Sequence, residues 1–219
     1  MHALVVGGTS GLGLELAKLL QKTHEVVITG TEDRGVYGIT FHKLDFGSGK
    51  GFPIFVDWIV RDYIFDTVIY NPGFHQEGRI SDLSENQILD MSNVGFLGAA
   101  VLMQRIMKKQ NQLSCFVAIT STSQWIPREL EPVYAGVKAG LGMLANSLAL
   151  DSRIKKTLVV GPAGMKTKFW AGTDRDTSTM LDAPWVAQRI LELLQGEFKY
   201  RHARILREPA RVEMIEARM

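Results

Sequence analysis

The sequence predicts a doubly wound α/β fold: a parallel sheet of about seven strands with helices on both faces and a shortened second crossover. Three observations predict it. Short apolar runs alternate with helix-period segments from end to end, as successive strand-helix-strand crossovers require. A glycine-rich turn, Gly7-Gly8-Thr9-Ser10-Gly11-Leu12-Gly13, stands where the first strand becomes the first helix. With 219 residues and 46% hydrophobic content, the chain can bury a substantial core as one domain over residues 1–219.

The elements follow in order. Ala3-Leu4-Val5-Val6 marks a strand over 2–6, and Leu12, Leu16, Leu19 and Leu20 then recur at helical spacing over 11–22. Strands follow at about 25–29 and 37–42; the segment from Thr31 to Tyr37 between them is too short for a crossover helix and reads as a turn or a single helical turn. A helix near 51–62, a strand at 66–70, a long helix over 84–110 and a strand at 114–120 come next. The pattern closes with a helix over 132–152, a strand at 156–161, room for a short helix around 165–171, a helix over 184–195 and a strand at 203–207. No repeat, low-complexity tract or domain linker interrupts it.

Composition narrows the partners. A formal charge of +2 with 22% charged residues gives no field that would favour nucleic acid or membrane. The lone Cys115 lies in an apolar run and reads as a buried small hydrophobe, which suits a reducing cytosol. Strand residues from Ala3 onward leave no room for a leader, so a cytoplasmic protein is expected. The run from Val94 to Met103 is about half of the roughly 20 residues a spanning helix needs. No histidine, cysteine or carboxylate spacing suggests a metal. Tyr200 to Met219, with five arginines among glutamates, reads as a solvated face or a subunit contact.

The glycine turn carries the first chemistry. Its spacing is Gly-x-x-x-Gly-x-Gly, after a strand and before a helix. Glycine lets the backbone approach a pyrophosphate, and the helix start beyond it offers unpaired N–H groups and a favourable dipole. Gly7, Thr9, Ser10, Gly11, Leu12 and Gly13 are therefore candidate dinucleotide-binding residues. Ser121, Tyr134 and Lys138 carry the second, standing thirteen and then four residues apart. Tyr134 and Lys138 project from one face of the same predicted helix. A serine can hold a carbonyl oxygen while a tyrosine moves a proton. Bringing a free tyrosine toward neutrality takes about three pKa units, or about 4 kcal/mol. An ammonium about 5 Å away, at an effective dielectric of about 20, supplies roughly 3 kcal/mol of that.

These residues resemble the short-chain dehydrogenase/reductase family, whose members have a Rossmann-type sheet, and the likeness covers nearly the whole chain. The resemblance implies an NAD(P)-dependent oxidoreductase acting on a carbonyl or alcohol, as a homo-oligomer. It implies that Asp45 and Phe46 sit at the adenine, that Asn71 and Gly73 belong to the turn after the fourth strand, and that Asn93 holds a water connecting the lysine to solvent. Ser121, Tyr134 and Lys138 match the family's catalytic residues, with Tyr134 and Lys138 also touching the cofactor; Pro162 and Thr167 match positions contacting nicotinamide and pyrophosphate. The chain departs from the family at Val6 and Tyr70, at the ends of strands expected to be neighbours, where a polar tie becomes an apolar contact. It departs again at Ala163, after Pro162, and at the C-terminus, where the usual extended strand and its glycine-rich end are missing.

At the end of the second strand stand Gly30 and Thr31 with no acid, and Arg34 is close by as a phosphate partner. That favours NADP over NAD, unless Glu32 or Asp33 takes the acidic role. Phe74, His75, Trp125, Ile126, Met165, Phe169 and Trp170 are candidate walls of a mainly apolar substrate pocket, and equally candidates for core or subunit contacts. One rival reading is a dinucleotide-binding sensor on the same fold; another is a nucleotide-sugar epimerase or dehydratase, for which the chain after Thr167 leaves little room.

Overall fold

A computed structural model of the protein describes residues 1–47 and 52–219. Its sheet has eight strands in the order β3 (Ile39–Lys43), β2 (Glu25–Gly30), β1 (His2–Val6), β4 (Thr67–Tyr70), β5 (Leu113–Ile119), β6 (Ile154–Pro162), β7 (Tyr200–Arg207) and β8 (Ala210–Arg218). The first seven run parallel and β8 returns antiparallel on β7. The central strands are apolar on both sides because helices cover both faces. Leu4, Val6, Val68 and Phe116 pack toward α2 (Phe52–Asp62), α4 (Gly98–Lys109) and α5 (Pro132–Leu148). Ala3, Val5, Ile69 and Val117 pack toward α1 (Gly11–Leu20) and α6 (Ala183–Leu193).

The expected crossovers are present, and the link from β2 to β3 holds no helix. The expected start of α2 at position 51 lies outside the described residues. Two regions differ from expectation. The C-terminal stretch taken for a solvated face or contact is the β7–β8 hairpin, so the sheet gains an eighth strand and the extended C-terminal strand thought missing is present. The strand is mostly exposed, with only Val212, Glu213 and Arg218 partly buried, so the expected solvated character holds and what the charge pattern hides is the pairing with β7. The room for a helix at 165–171 is filled only by a 3-10 turn, Lys168–Trp170.

The long helix expected over 84–110 is one continuous run with a defect in its middle. α3 (Glu85–Ser92) passes into a π-turn, Asn93–Leu97, before α4 resumes. There the Gly98 N–H bonds the Asn93 carbonyl, five residues back. Tyr70 explains how the defect is held. Its fully buried hydroxyl donates to the Val94 carbonyl at 2.7 Å. Val6 and Tyr70 are register partners in β1 and β4 and share one apolar cluster, as expected, and the Tyr70 hydroxyl adds a polar tie to the helix. Gly98 leaves the space, since a Cβ on it would come within 2.5 Å of that hydroxyl.

Tyr70→Phe should therefore strip the Val94 carbonyl of its partner and cost about 1–2 kcal/mol. Urea unfolding should show this as a lower midpoint at unchanged m-value.

Candidate active site

β1 and β4 lie side by side while the strands that follow each run outward to opposite edges of the sheet, so a crevice opens at their carboxyl ends. A cavity of about 770 Å³ occupies it. One end is lined by Gly7, Thr9, Ser10, Gly11 and Leu12, with Thr31, Asp45 and Phe46 beyond them. Asn71 and Gly73 form the floor where β4 ends, and Ser121, Tyr134, Lys138, Pro162 and Thr167 surround the middle.

The turn is shaped for close approach. Gly11 has φ +51°, a left-handed conformation that side chains rarely adopt, and a Cβ there would lie 3.2 Å from Thr167. The Asn71 side-chain amide donates to the Gly7 carbonyl at 3.1 Å and fixes the turn against β4. Ser10, at the N-cap position of α1, makes no side-chain capping bond, whereas α3 is closed by the reciprocal Ser84 and Gln87 capping box. The first N–H groups of α1 are thus left for an anion. Glycine cradle, open helix end and hydroxyl donors fit a pyrophosphate.

Tyr134 and Lys138 share one face of α5, as their spacing requires, with the Lys138 Nζ 5.8 Å from the centre of the Tyr134 ring. Lys138 is 3% exposed and donates to the carbonyls of Pro72 at 3.0 Å and Ile119 at 3.2 Å. Burial lowers its pKa to about 8. The Ser121 hydroxyl accepts from the Ser123 N–H at 3.1 Å, and its hydrogen bond with Tyr134 favours the phenolate. Burial outweighs that bond and, with the Glu131 carboxylate, pushes the Tyr134 phenol up to about 12. This reverses the direction expected from the spacing alone. The walls that bring ammonium and phenol together also strip water from both, and loss of solvation dominates.

Four sequence candidates fall elsewhere. Arg34 is outside the cavity lining and pairs with Glu32 at 2.8 Å. Gly13 serves packing, since a Cβ there would meet the Gly7 carbonyl oxygen at 2.1 Å. Asn93 sits in the π-turn and is not part of the lining, although Val94 beside it is. Trp125 stacks on His202 at 5.0 Å and forms no wall. Phe74, His75, Ile126, Met165, Phe169 and Trp170 do line the cavity.

The cavity is more charged than foreseen, with Arg128, Glu131, Arg175, Arg207 and Glu208 in its lining. Glu131 was legible in principle, three residues before Tyr134 at the head of the same helix. The others arrive from loops and the β7–β8 turn, which only the folded chain brings near. Among the described residues no group of three or more His, Cys, Asp or Glu could hold a metal ion. No helix among them is long and apolar enough to cross a membrane.

A crevice of this kind in a parallel sheet is the architecture of a dinucleotide-binding protein. The chain belongs to the short chain dehydrogenase family, whose model matches residues 1–178. It is 26% identical over 171 residues to the uncharacterized oxidoreductase DltE of Bacillus subtilis, a match spanning 71% of this chain and 66% of that one, just under two thirds. A short-chain dehydrogenase/reductase from Vibrio parahaemolyticus superposes with a TM-score of 0.78 at 24% identity, covering 94% of this chain and 97% of that one. An alcohol dehydrogenase from the archaeon Thermococcus sibiricus, complexed with 5-hydroxy-NADP, superposes with a TM-score of 0.79 at 17% identity, covering 97% and 98%.

Lys138 sets a pH test. Its folded pKa lies below the ordinary 10.5, so between about pH 8 and 10.5 the unfolded chain holds a proton the folded one has lost. Stability associated with this group is therefore present above that window and lost as pH falls through it. Ligand-free wild type should gain about 3 kcal/mol relative to Lys138→Met across the window. A flat difference in denaturant unfolding would mean a solvated ammonium.

Proposed function

We propose that this chain is an NAD(P)-dependent oxidoreductase interconverting a carbonyl and an alcohol on a small substrate, with Tyr134 as general acid and base. The observation that carries this is the meeting of Ser121, Tyr134 and Lys138 in the cavity that the Gly7–Leu12 turn opens into.

Ser10, Gly11, Leu12 and Thr167 would hold the pyrophosphate, Asp45 and Phe46 the adenine, and Lys138 the nicotinamide ribose. The bound nicotinamide supplies or accepts the hydride. In reduction, the Tyr134 hydroxyl gives its proton to the substrate oxygen while the Ser121 hydroxyl is hydrogen-bonded to that oxygen. A phenol held near 12 stays protonated at neutral pH, which suits the acid role in carbonyl reduction. Lys138, at about 8, stays mainly cationic there and stabilises the phenolate that remains. Asn93, in the π-turn that packs against α5, would hold a relay water behind the lysine, as the family resemblance implies. Thr31, which lines the cavity where an acid would select NAD, supports NADP, as does the NADP analogue in the archaeal structure. Arg34 gives that preference no support from its present position.

Tyr134→Phe should lower kcat about 10²–10⁴-fold while cofactor affinity stays within a few-fold. A saturating cofactor at a hundred times its Kd should add about 2.7 kcal/mol of stability. For a domain this size that is roughly 5–10 °C in Tm. Normal turnover in Tyr134→Phe removes the proton-transfer assignment; no Tm shift with NAD(H) or NADP(H) removes the cofactor.

A further inference from the structure

The substrate end of the cavity is walled by three separate loops, and one side chain joins them. Arg175 places its Nη2 atom 3.2 Å from Glu131 Oε1 and 3.8 Å from Glu77 Oε2. Its guanidinium carbon lies 5.1 Å from the centre of the Trp170 ring. Glu77 also pairs with His75 at 3.2 Å, and the His75 ring lies 5.1 Å from Trp170 and 5.8 Å from Phe169. The Phe169 ring in turn lies 6.0 Å from that of Tyr134. Glu77 follows β4, Glu131 heads α5 and Arg175 follows β6.

The stretch from Ala171 to Thr179 has no buried residue. Its hydrogen bonds are otherwise local: Ala171 N–H to the Lys168 carbonyl, Thr173 N–H to the Trp170 carbonyl, and Ser178 N–H to Asp176. Among the described residues, only Arg175 ties this stretch by hydrogen bond or ion pair to a distant part of the chain. Glu131 is a strong anchor for it, because its side chain is only 11% exposed and an enclosed carboxylate needs a partner.

We propose that Arg175 is a positioning residue, bridging Glu131 and Glu77 to hold the 171–179 stretch beside Phe169 and Trp170 and so fix the substrate wall before Tyr134. The inference rests on the functional reading above and goes beyond it by assigning the wall a dedicated fastener. Arg175 touches no reacting atom. Its loss loosens substrate binding and leaves proton transfer at Tyr134 in place.

Two measurements on the full chain test this. Hydrogen exchange followed by mass spectrometry should show amides of residues 171–179 exchanging about tenfold faster in Arg175→Met than in wild type, with the β-strands unchanged. Steady-state kinetics on a carbonyl panel should show KM for the carbonyl up about tenfold, with kcat and cofactor Kd within about threefold. Glu131→Gln should reproduce the faster exchange and the higher KM, while its kcat shifts as well because the carboxylate also acts on the Tyr134 phenol; the double variant should add little to exchange or KM, and Arg175→Lys should restore part of the KM. Unchanged exchange in both single variants overturns the proposal whatever the kinetics. Faster exchange with KM untouched overturns it too, since the stretch would then not form the wall. Should wild type reduce no carbonyl with either cofactor, the functional reading falls and the substrate wall with it, while exchange still reports whether Arg175 fastens the stretch.

Discussion

The buried ammonium of Lys138 is the constraint on which the site depends. A lysine 3% exposed forfeits its water, and the carbonyls of Pro72 and Ile119 replace part of that hydration. Those carbonyls belong to the turn after β4 and the end of β5, so one side chain pins α5 against two strand ends. Tyr134, one turn earlier on α5, is thereby held over the carboxyl edge of the sheet. The tie is costly, as the depressed pKa shows, and a core that needed only packing would place an apolar side chain there.

The same enclosure sets the two proton affinities apart, lowering that of the amine and raising that of the phenol. Attraction between them cannot be reckoned from separation alone, because whatever shortens the distance also removes solvent. Glu131 adds to the rise at Tyr134, and its pairing with Arg175 links the electrostatics of the phenol to a loop far away in sequence.

Much of this was legible in the chain. Alternating apolar runs give the layers because burial on both faces leaves an unbroken hydrophobic signature in β1, β4 and β5. The Gly7 turn and the Tyr134 and Lys138 pair were legible because each depends on spacing within a single element or junction. What escaped depends on contacts between distant segments. The π-turn at Asn93 has no period of its own and is held by Tyr70 from another strand. β8 alternates charge with apolar residues and pairs only at a sheet edge, so its sequence resembles a polar surface. Arg34 was placed by proximity in sequence, yet its guanidinium finds Glu32 two residues away.

The helix-free link between β2 and β3 leaves the neighbouring end of the crevice open to change. Gly35 has no atom within 4 Å of where its Cβ would be, and Tyr37 is 96% exposed. Gly35 and Gly38 hold φ +60° and +73°, which other residues rarely adopt, but changes at the exposed positions around them disturb no core packing, and lengthening a loop costs stability only slowly. If the crevice holds a dinucleotide, the exposed non-glycine positions of this segment can drift between charge patterns at little thermodynamic expense. Coenzyme preference in such a lineage is then an evolutionarily cheap trait, uncoupled from the inheritance of the fold itself.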